Sequence, residues 1–189
     1  MFDVERKLNK APKPVGMTDG HGGEEYVRKD APLIRFRGAL DHAMAEVIIT
    51  QTLLQQDKTP AAEELTAHLQ ELLCTLRQIM SAEYSGEEVK VERLFGYPLD
   101  ELQKRSHNAK EYYGIATMTR PDFSYGPVYA RLNLLRTELR LVESAAVELF
   151  LGDADTEPAR PDILHLLNRM SSGLHVLMCK WLSDQYKSI

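Results

Sequence analysis

Residues 129–150 read YARLNLLRTELRLVESAAVELF. Leu132, Leu135, Leu139, Val142, Ala146 and Phe150 recur every three or four positions, the period at which side chains line one face of an α-helix. No glycine or proline interrupts the run. The pattern predicts a helix from Tyr129 to Phe150 with an apolar face. Beside that face, Arg136, Arg140 and Glu143 stand at i, i+4 and i+7, each about a helical turn from the next. Two permanently charged, forked donors at the edge of an apolar face suit a partly buried polyanion such as a nucleotide triphosphate. The same stripe is also what a solvated helix surface presents, and spacing alone does not choose between the two.

Working outward, similar periodicity predicts four more helices. Pro32 opens one that runs to Gln56 through Ile34, Leu40, Ala43, Val47 and Leu54, proline being tolerated in the first turn. Thr59 as cap and Pro60 at the first helical position begin the next. It continues through Leu65, Leu69, Leu72, Leu76 and Ile79 to about Glu83. A shorter helix spans Leu99 to Tyr112, and Pro161 with Asp162 opens a last one ending near Lys187. Residues 85–98 are turn-rich with a β-prone piece at Val89–Val91, residues 114–127 are irregular, and 152–160 form a loop. Residues 1–30 carry Pro12, Pro14, Gly16, Gly20, Gly22 and Gly23 and read as an extended arm. The expectation is an arm at 1–30 and, at 31–189, one all-α domain: a five-helix antiparallel, ferritin-like bundle. Apolar residues on more than one face of several helices point to self-association.

Composition narrows the function. A net charge of -5 over 189 residues argues against broad nucleic-acid binding, which needs a basic surface. No apolar run is long enough to span a membrane, and Met1–Val15 lacks a signal core. Cys74 and Cys179 sit in helical patterns and read as free thiols of a reducing cytosol. No paired Cys/His spacing suggests zinc, and no pair of Glu-x-x-His motifs suggests a di-iron bundle. No protein metal site is expected.

Three segments carry a more specific signal: KDAPLIRFRGALD at 29–41, LNLLRTELRLVE at 132–143 and RPDILHLLNRMSS at 160–172. Together and in this order they resemble the helical-bundle class of ATP:corrinoid (cobalamin) adenosyltransferases, and more closely its ethanolamine-utilisation type. The resemblance covers about Val15 to Met178. It implies a homotrimer with ATP between neighbouring subunits, in the cytoplasm, with association with a bacterial metabolic compartment left open. The implied reaction is attack by cob(I)alamin on C5′ of ATP, forming adenosylcobalamin and releasing triphosphate. It implies ATP, Mg²⁺ and the corrinoid as the small molecules, and an electron-donating reductase as a partner. A non-catalytic corrinoid-binding or cofactor-delivery bundle is the alternative.

The resemblance also assigns roles. Arg136, Arg140 and Glu143 are expected at the nucleotide, and Asn168 matches a nucleotide-contacting asparagine that Arg169 supports. Asp41 matches an aspartate that pairs with an arginine across the subunit boundary, with Arg136 as the partner here. TDGHGG at 18–23 loosely resembles the family phosphate loop, which places Thr18 and Gly20, with Lys29, among the ATP-binding residues. An apolar side chain from the loop before the Arg-bearing helix is expected to displace the lower cobalt ligand, Phe123 first and Tyr125 second. Without the resemblance, Phe123 reads equally well as a core anchor. Ethanolamine-type members can carry an N-terminal extension with a His/Cys-rich metal motif; this sequence shows no such motif, so metal dependence tied to it is expected to be absent.

Overall fold

A computed structural model describes residues 13–20, 25–116, 120–151 and 157–183. Four long helices dominate: α1 (Pro32–Leu54), α2 (Pro60–Ser85), α5 (Gly126–Phe150) and α6 (Pro161–Leu182), with the short α3 (Leu99–His107) and α4 (Ala109–Tyr113) between α2 and α5. Each long helix starts with proline in its first turn, where the missing N–H has no partner to lose. Thr59 Oγ1 accepts from Ala62 N at 3.3 Å and caps α2, and Gly86 ends it in the left-handed conformation at φ 76°.

The apolar stripes meet in one core. Leu132, Leu135, Leu139, Val142 and Ala146 of α5 are buried against Phe36, Leu40, Ala43 and Val47 of α1 and Leu166, Leu167, Met170 and Leu174 of α6. Phe150 is half-buried and meets the Phe36 ring edge-on at 5.3 Å. Along the α1–α5 edge, Arg35 pairs with Glu148, His42 Nε2 lies 3.5 Å from Glu138 Oε2, and Arg131 Nη1 lies 3.0 Å from Glu46 Oε2. The partners run in opposite chain directions, so the two helices are antiparallel. Such surface pairs contribute about 0–1 kcal/mol each; they mark the register, and apolar burial holds it.

Among the described residues there are six α-helices where the sequence predicts five. The predicted helix at Leu99–Tyr112 breaks at Asn108, whose side-chain Nδ2 donates to Lys104 O at 2.8 Å, a local bond that competes with the helix. Val89–Val91 is not a strand; the β-ladder lies just beyond it, Arg93–Leu94 against Tyr97–Pro98. Phe95 at the tip of this hairpin has φ 55°, unusual for a bulky residue. Its backbone N donates to Glu71 Oε2 at 2.8 Å and its ring is buried. A Cβ at Gly173 would lie 2.6 Å from that ring, so only glycine lets the hairpin seat on α6. The arm expected at 1–30 includes a further hairpin, Met17–Asp19 against Tyr26–Arg28, with Thr18 opposite Val27.

The start of α6 is clasped to the end of α2. Arg160 Nε and Nη2 donate to Asp162 Oδ1 and Oδ2 at 3.0 and 2.8 Å, while Nη1 donates to Ala82 O at 2.9 Å and Nη2 to Glu87 O at 2.7 Å. Val89 N donates to Asp162 Oδ2 at 2.9 Å. Burial alone would raise the Asp162 carboxyl, but the bonds from Arg160, Val89 and Ile163 outweigh it and hold the pKa at about 2. A carboxyl depressed in the folded chain contributes stability above its unfolded pKa of ~4 and loses it as pH falls toward the folded value. Asp162→Asn is therefore expected to be about 1–2 kcal/mol less stable at neutral pH, and the deficit should shrink as pH falls from about 4 to about 2. Urea unfolding across that range checks this; a deficit that stays constant with pH contradicts it.

Candidate functional site

The antiparallel packing of α5 on α6 brings two of the three sequence segments together. Asn168 Nδ2 donates to Glu143 Oε1 at 2.9 Å, and Arg169 Nη1 donates to Asn168 Oδ1 at 2.8 Å. One turn back on α5 lies Arg140, and one further turn back Arg136. Burial and the charge of Arg140 both lower the pKa of Arg136, which stays protonated at neutral pH as guanidiniums do. Its Nε and Nη2 donate to Asn133 Oδ1 at 3.3 and 3.0 Å. Arg140 is exposed. Among the described residues neither guanidinium has a carboxylate partner.

Further along α6, His175 faces the same seam. Burial lowers its pKa, and the nearby charges of Arg136 and His107 lower it further, so it is neutral at pH 7. Its Nε2 lies 3.7 Å from Cys179 Sγ, a thiol pushed up to about 11 by burial. Sequence reasoning missed His175 and Asn133. The signal was available: Asn168, Ser172, His175 and Cys179 fall at i, i+4, i+7 and i+11 on one face of α6.

Phe123 is 92% exposed. It lies in a 3₁₀ turn, Phe123–Tyr125, that caps itself: Asp122 Oδ1 accepts from Ser124 N at 2.9 Å and from Ser124 Oγ at 2.6 Å. Tyr125 packs edge-on against the buried Tyr129 at 5.0 Å. The turn thus anchors one aromatic and projects the other, so Phe123 is not the core anchor that composition alone allows.

The remaining candidates stand apart. Thr18 Oγ1 accepts from Lys13 Nζ at 3.2 Å in the N-terminal hairpin. Gly20 is buried, and a Cβ there would lie 2.9 Å from Val27 Cγ1. Lys29 is exposed. His21, Gly22 and Gly23 of the loop-like segment lie outside the described residues. This hairpin leads into the start of α1, the end tied by Arg35 to Glu148 near the end of α5. Phe123 precedes the opposite end of α5. Asp41 is exposed on α1, whereas Arg136 is engaged by Asn133; no Asp41–Arg136 pair forms within the chain. Surface hollows lie between α1 and α2, lined by Ile48, Gln51 and Gln70, and beside Gln78 and Val89; neither includes a candidate residue. Among the described residues no cluster of His, Cys, Asp or Glu could hold a metal, and no helix is long and apolar enough to cross a membrane.

The family model described as cobalamin adenosyltransferase matches residues 11–181. The chain is similar to the corrinoid adenosyltransferase EutT of Salmonella typhimurium (strain LT2), 35% identical over 155 residues, which is 82% of this chain and 55% of that protein. It is also similar to the corrinoid adenosyltransferase EutT of Escherichia coli (strain K12), 33% identical over 168 residues, 89% of this chain and 59% of that protein. The chain thus spans a little over half the length of the curated relatives it matches. No solved structure matches it.

Proposed function

The chain belongs to the cobalamin adenosyltransferase family, and from that membership we propose that it transfers the 5′-deoxyadenosyl group of ATP to cob(I)alamin, in the manner of the ethanolamine-utilisation type. The observation that carries the proposal is the α5–α6 seam: two guanidiniums that have no carboxylate partner among the described residues, beside a hydrogen-bonded Glu143–Asn168 pair.

In this reading cobalt(I) supplies the electron pair. A cobalt–carbon bond forms at C5′, the C5′–oxygen bond breaks, and its electrons leave on the triphosphate. No protein nucleophile is required. The work of the protein is to hold C5′ in line and to stabilise charge on the leaving group. Arg136 and Arg140 take the phosphates, Glu143 and Asn168 orient the nucleoside, and Mg²⁺ arrives with the triphosphate. The hairpin bearing Thr18 and Gly20, followed by Lys29, leads into the end of α1 that Arg35 ties to Glu148; in this reading these residues serve the nucleotide of a neighbouring copy in a homotrimer, where Asp41 meets the partner's guanidinium. Phe123 supplies the apolar face that displaces the lower cobalt ligand, easing reduction by the electron-donating reductase. The setting is cytoplasmic. A cofactor-delivery bundle differs in one outcome: it binds the corrinoid and forms no alkylcobalt product.

Arg140→Ala is expected to lower adenosylation by about 10²–10³-fold while leaving the helical circular dichroism intact, because the side chain is exposed. Wild-type turnover in that variant, followed by the light-sensitive product spectrum, contradicts the site. Phe123→Ala should impair turnover from Co(II) substrate more than from pre-reduced Co(I) substrate, with stability unchanged because the ring is exposed. Equal impairment of both removes the assigned role.

A further inference from the structure

Three guanidiniums of this fold are gripped side-on, through Nε and Nη2, and one of them differs from the other two. Arg37 on α1 donates from both atoms to the Glu83 carboxylate at 2.7 and 3.2 Å. Arg160, just before α6, donates from both to the Asp162 carboxylate at 3.0 and 2.8 Å. In each case a negative partner cancels the charge. Arg136 donates from the same two atoms to a single amide oxygen, Asn133 Oδ1, at 3.3 and 3.0 Å. A guanidinium only donates, so the Asn133 amide must turn its oxygen toward it. Asn133 stands three residues earlier on α5 and so on the same face, and both side chains are half-buried. Arg136 is thus held as firmly placed as a paired arginine, by an acceptor with no net charge.

Two consequences follow from the chemistry. A guanidinium carries five N–H groups. Asn133 takes two, and the three that remain include one on Nη1 and one on Nη2 that point end-on, the fork that grips two phosphate oxygens at once. A carboxylate at position 133 would hold the head equally well, but an incoming anion would then have to compete with its charge. We propose that Asn133 is a positioning residue for Arg136: it fixes the side edge of the guanidinium, leaves the charge uncancelled and keeps the end edge for a phosphate. Asn133 itself touches no substrate. That the anion is the triphosphate of ATP rests on the adenosyl-transfer reading; the anion-binding role of the pair does not.

Inorganic triphosphate with Mg²⁺ is the probe, titrated calorimetrically into the full chain. Asn133→Ala is expected to weaken binding about tenfold, the loss of one bond to a charged group, and to have no further effect in an Arg136→Ala background. Asn133→Asp keeps the shape and the acceptor, so its thermal midpoint should equal or exceed that of the wild type, yet it should weaken triphosphate at least as much as Asn133→Ala. A purely structural role orders the two variants the other way. In ¹⁵N relaxation the Arg136 Nε–H should be held in the wild type and in Asn133→Asp and loosened in Asn133→Ala. Wild-type affinity in Asn133→Asp overturns the proposal. So does an Asn133→Ala loss that is the same with and without Arg136, an unloosened Arg136 Nε–H in Asn133→Ala, or a wild type that binds no triphosphate. If triphosphate binding follows the expected order but Mg·ATP with cob(I)alamin yields no alkylcobalt product, the role of Asn133 stands and the adenosyl-transfer reading falls.

Discussion

Repulsion between Arg136 and Arg140 is the interaction on which the site turns. Two like charges one helical turn apart on a helix cost about 0.2–0.5 kcal/mol. Burial first, and the charge of Arg140 second, lower the pKa of Arg136. Among the described residues no carboxylate lies within ion-pair distance of either guanidinium, although the chain carries 28 acidic residues against 23 Lys and Arg. Carboxylates sit nearby on the neighbouring edge of the same helix, where Glu138 and Glu148 face α1. The helix persists because its other face is buried at Leu132, Leu135, Leu139, Val142 and Ala146. Burial of each large side chain contributes about 1.5–3 kcal/mol, enough together to outweigh the repulsion. A polyanion binding at the seam would recover what the fold gives up there.

The packing assigns a task to each neighbour of α5. The α1 edge, with its ion pairs, fixes the register of the helix. The α6 side supplies Asn168, Arg169 and His175, and α6 is itself held by the Arg160–Asp162 clasp at its start and by the Phe95 hairpin lodged over Gly173 at its middle. These contacts are far better satisfied than the seam they position. Rigid surroundings and an electrostatically incomplete seam belong together in a binding site, because preorganised charge does not have to reorganise when the anion arrives.

Much of this was legible in the sequence, for identifiable reasons. The 3.6-residue period of the long helices, with Pro32, Pro60 and Pro161 at the starts of α1, α2 and α6, located these and α5 to within a few residues, since burial of one face leaves a periodic trace; α5 opens at Gly126, three residues before the period shows it. The stripe of Arg136, Arg140 and Glu143 follows from helical spacing, whereas the bond from Asn168 to Glu143 is set by how α6 packs on α5. Less legible were features set by single long-range contacts. Nothing local announces that Gly173 must lack a side chain because Phe95, 78 positions earlier, packs on it. The break at Asn108 depends on one side-chain bond that competes with helix hydrogen bonds. The hairpin that holds Thr18 and Gly20 is too short to show strand periodicity. Thr18, Lys29, Asp41 and Phe123 are each placed by the fold, yet away from the seam.

The central claim is that the seam between α5 and α6 is a polyanion site built from Arg136 and Arg140. Side-chain Nε–H resonances of ¹⁵N-arginine-labelled protein report on it directly during a titration with Mg·ATP. The account predicts saturable shifts at Arg136 and Arg140, while Arg37, already paired with Glu83 at 2.7 Å, stays where it is. Resonances of Arg136 and Arg140 that remain unmoved while nucleotide binds elsewhere would contradict it.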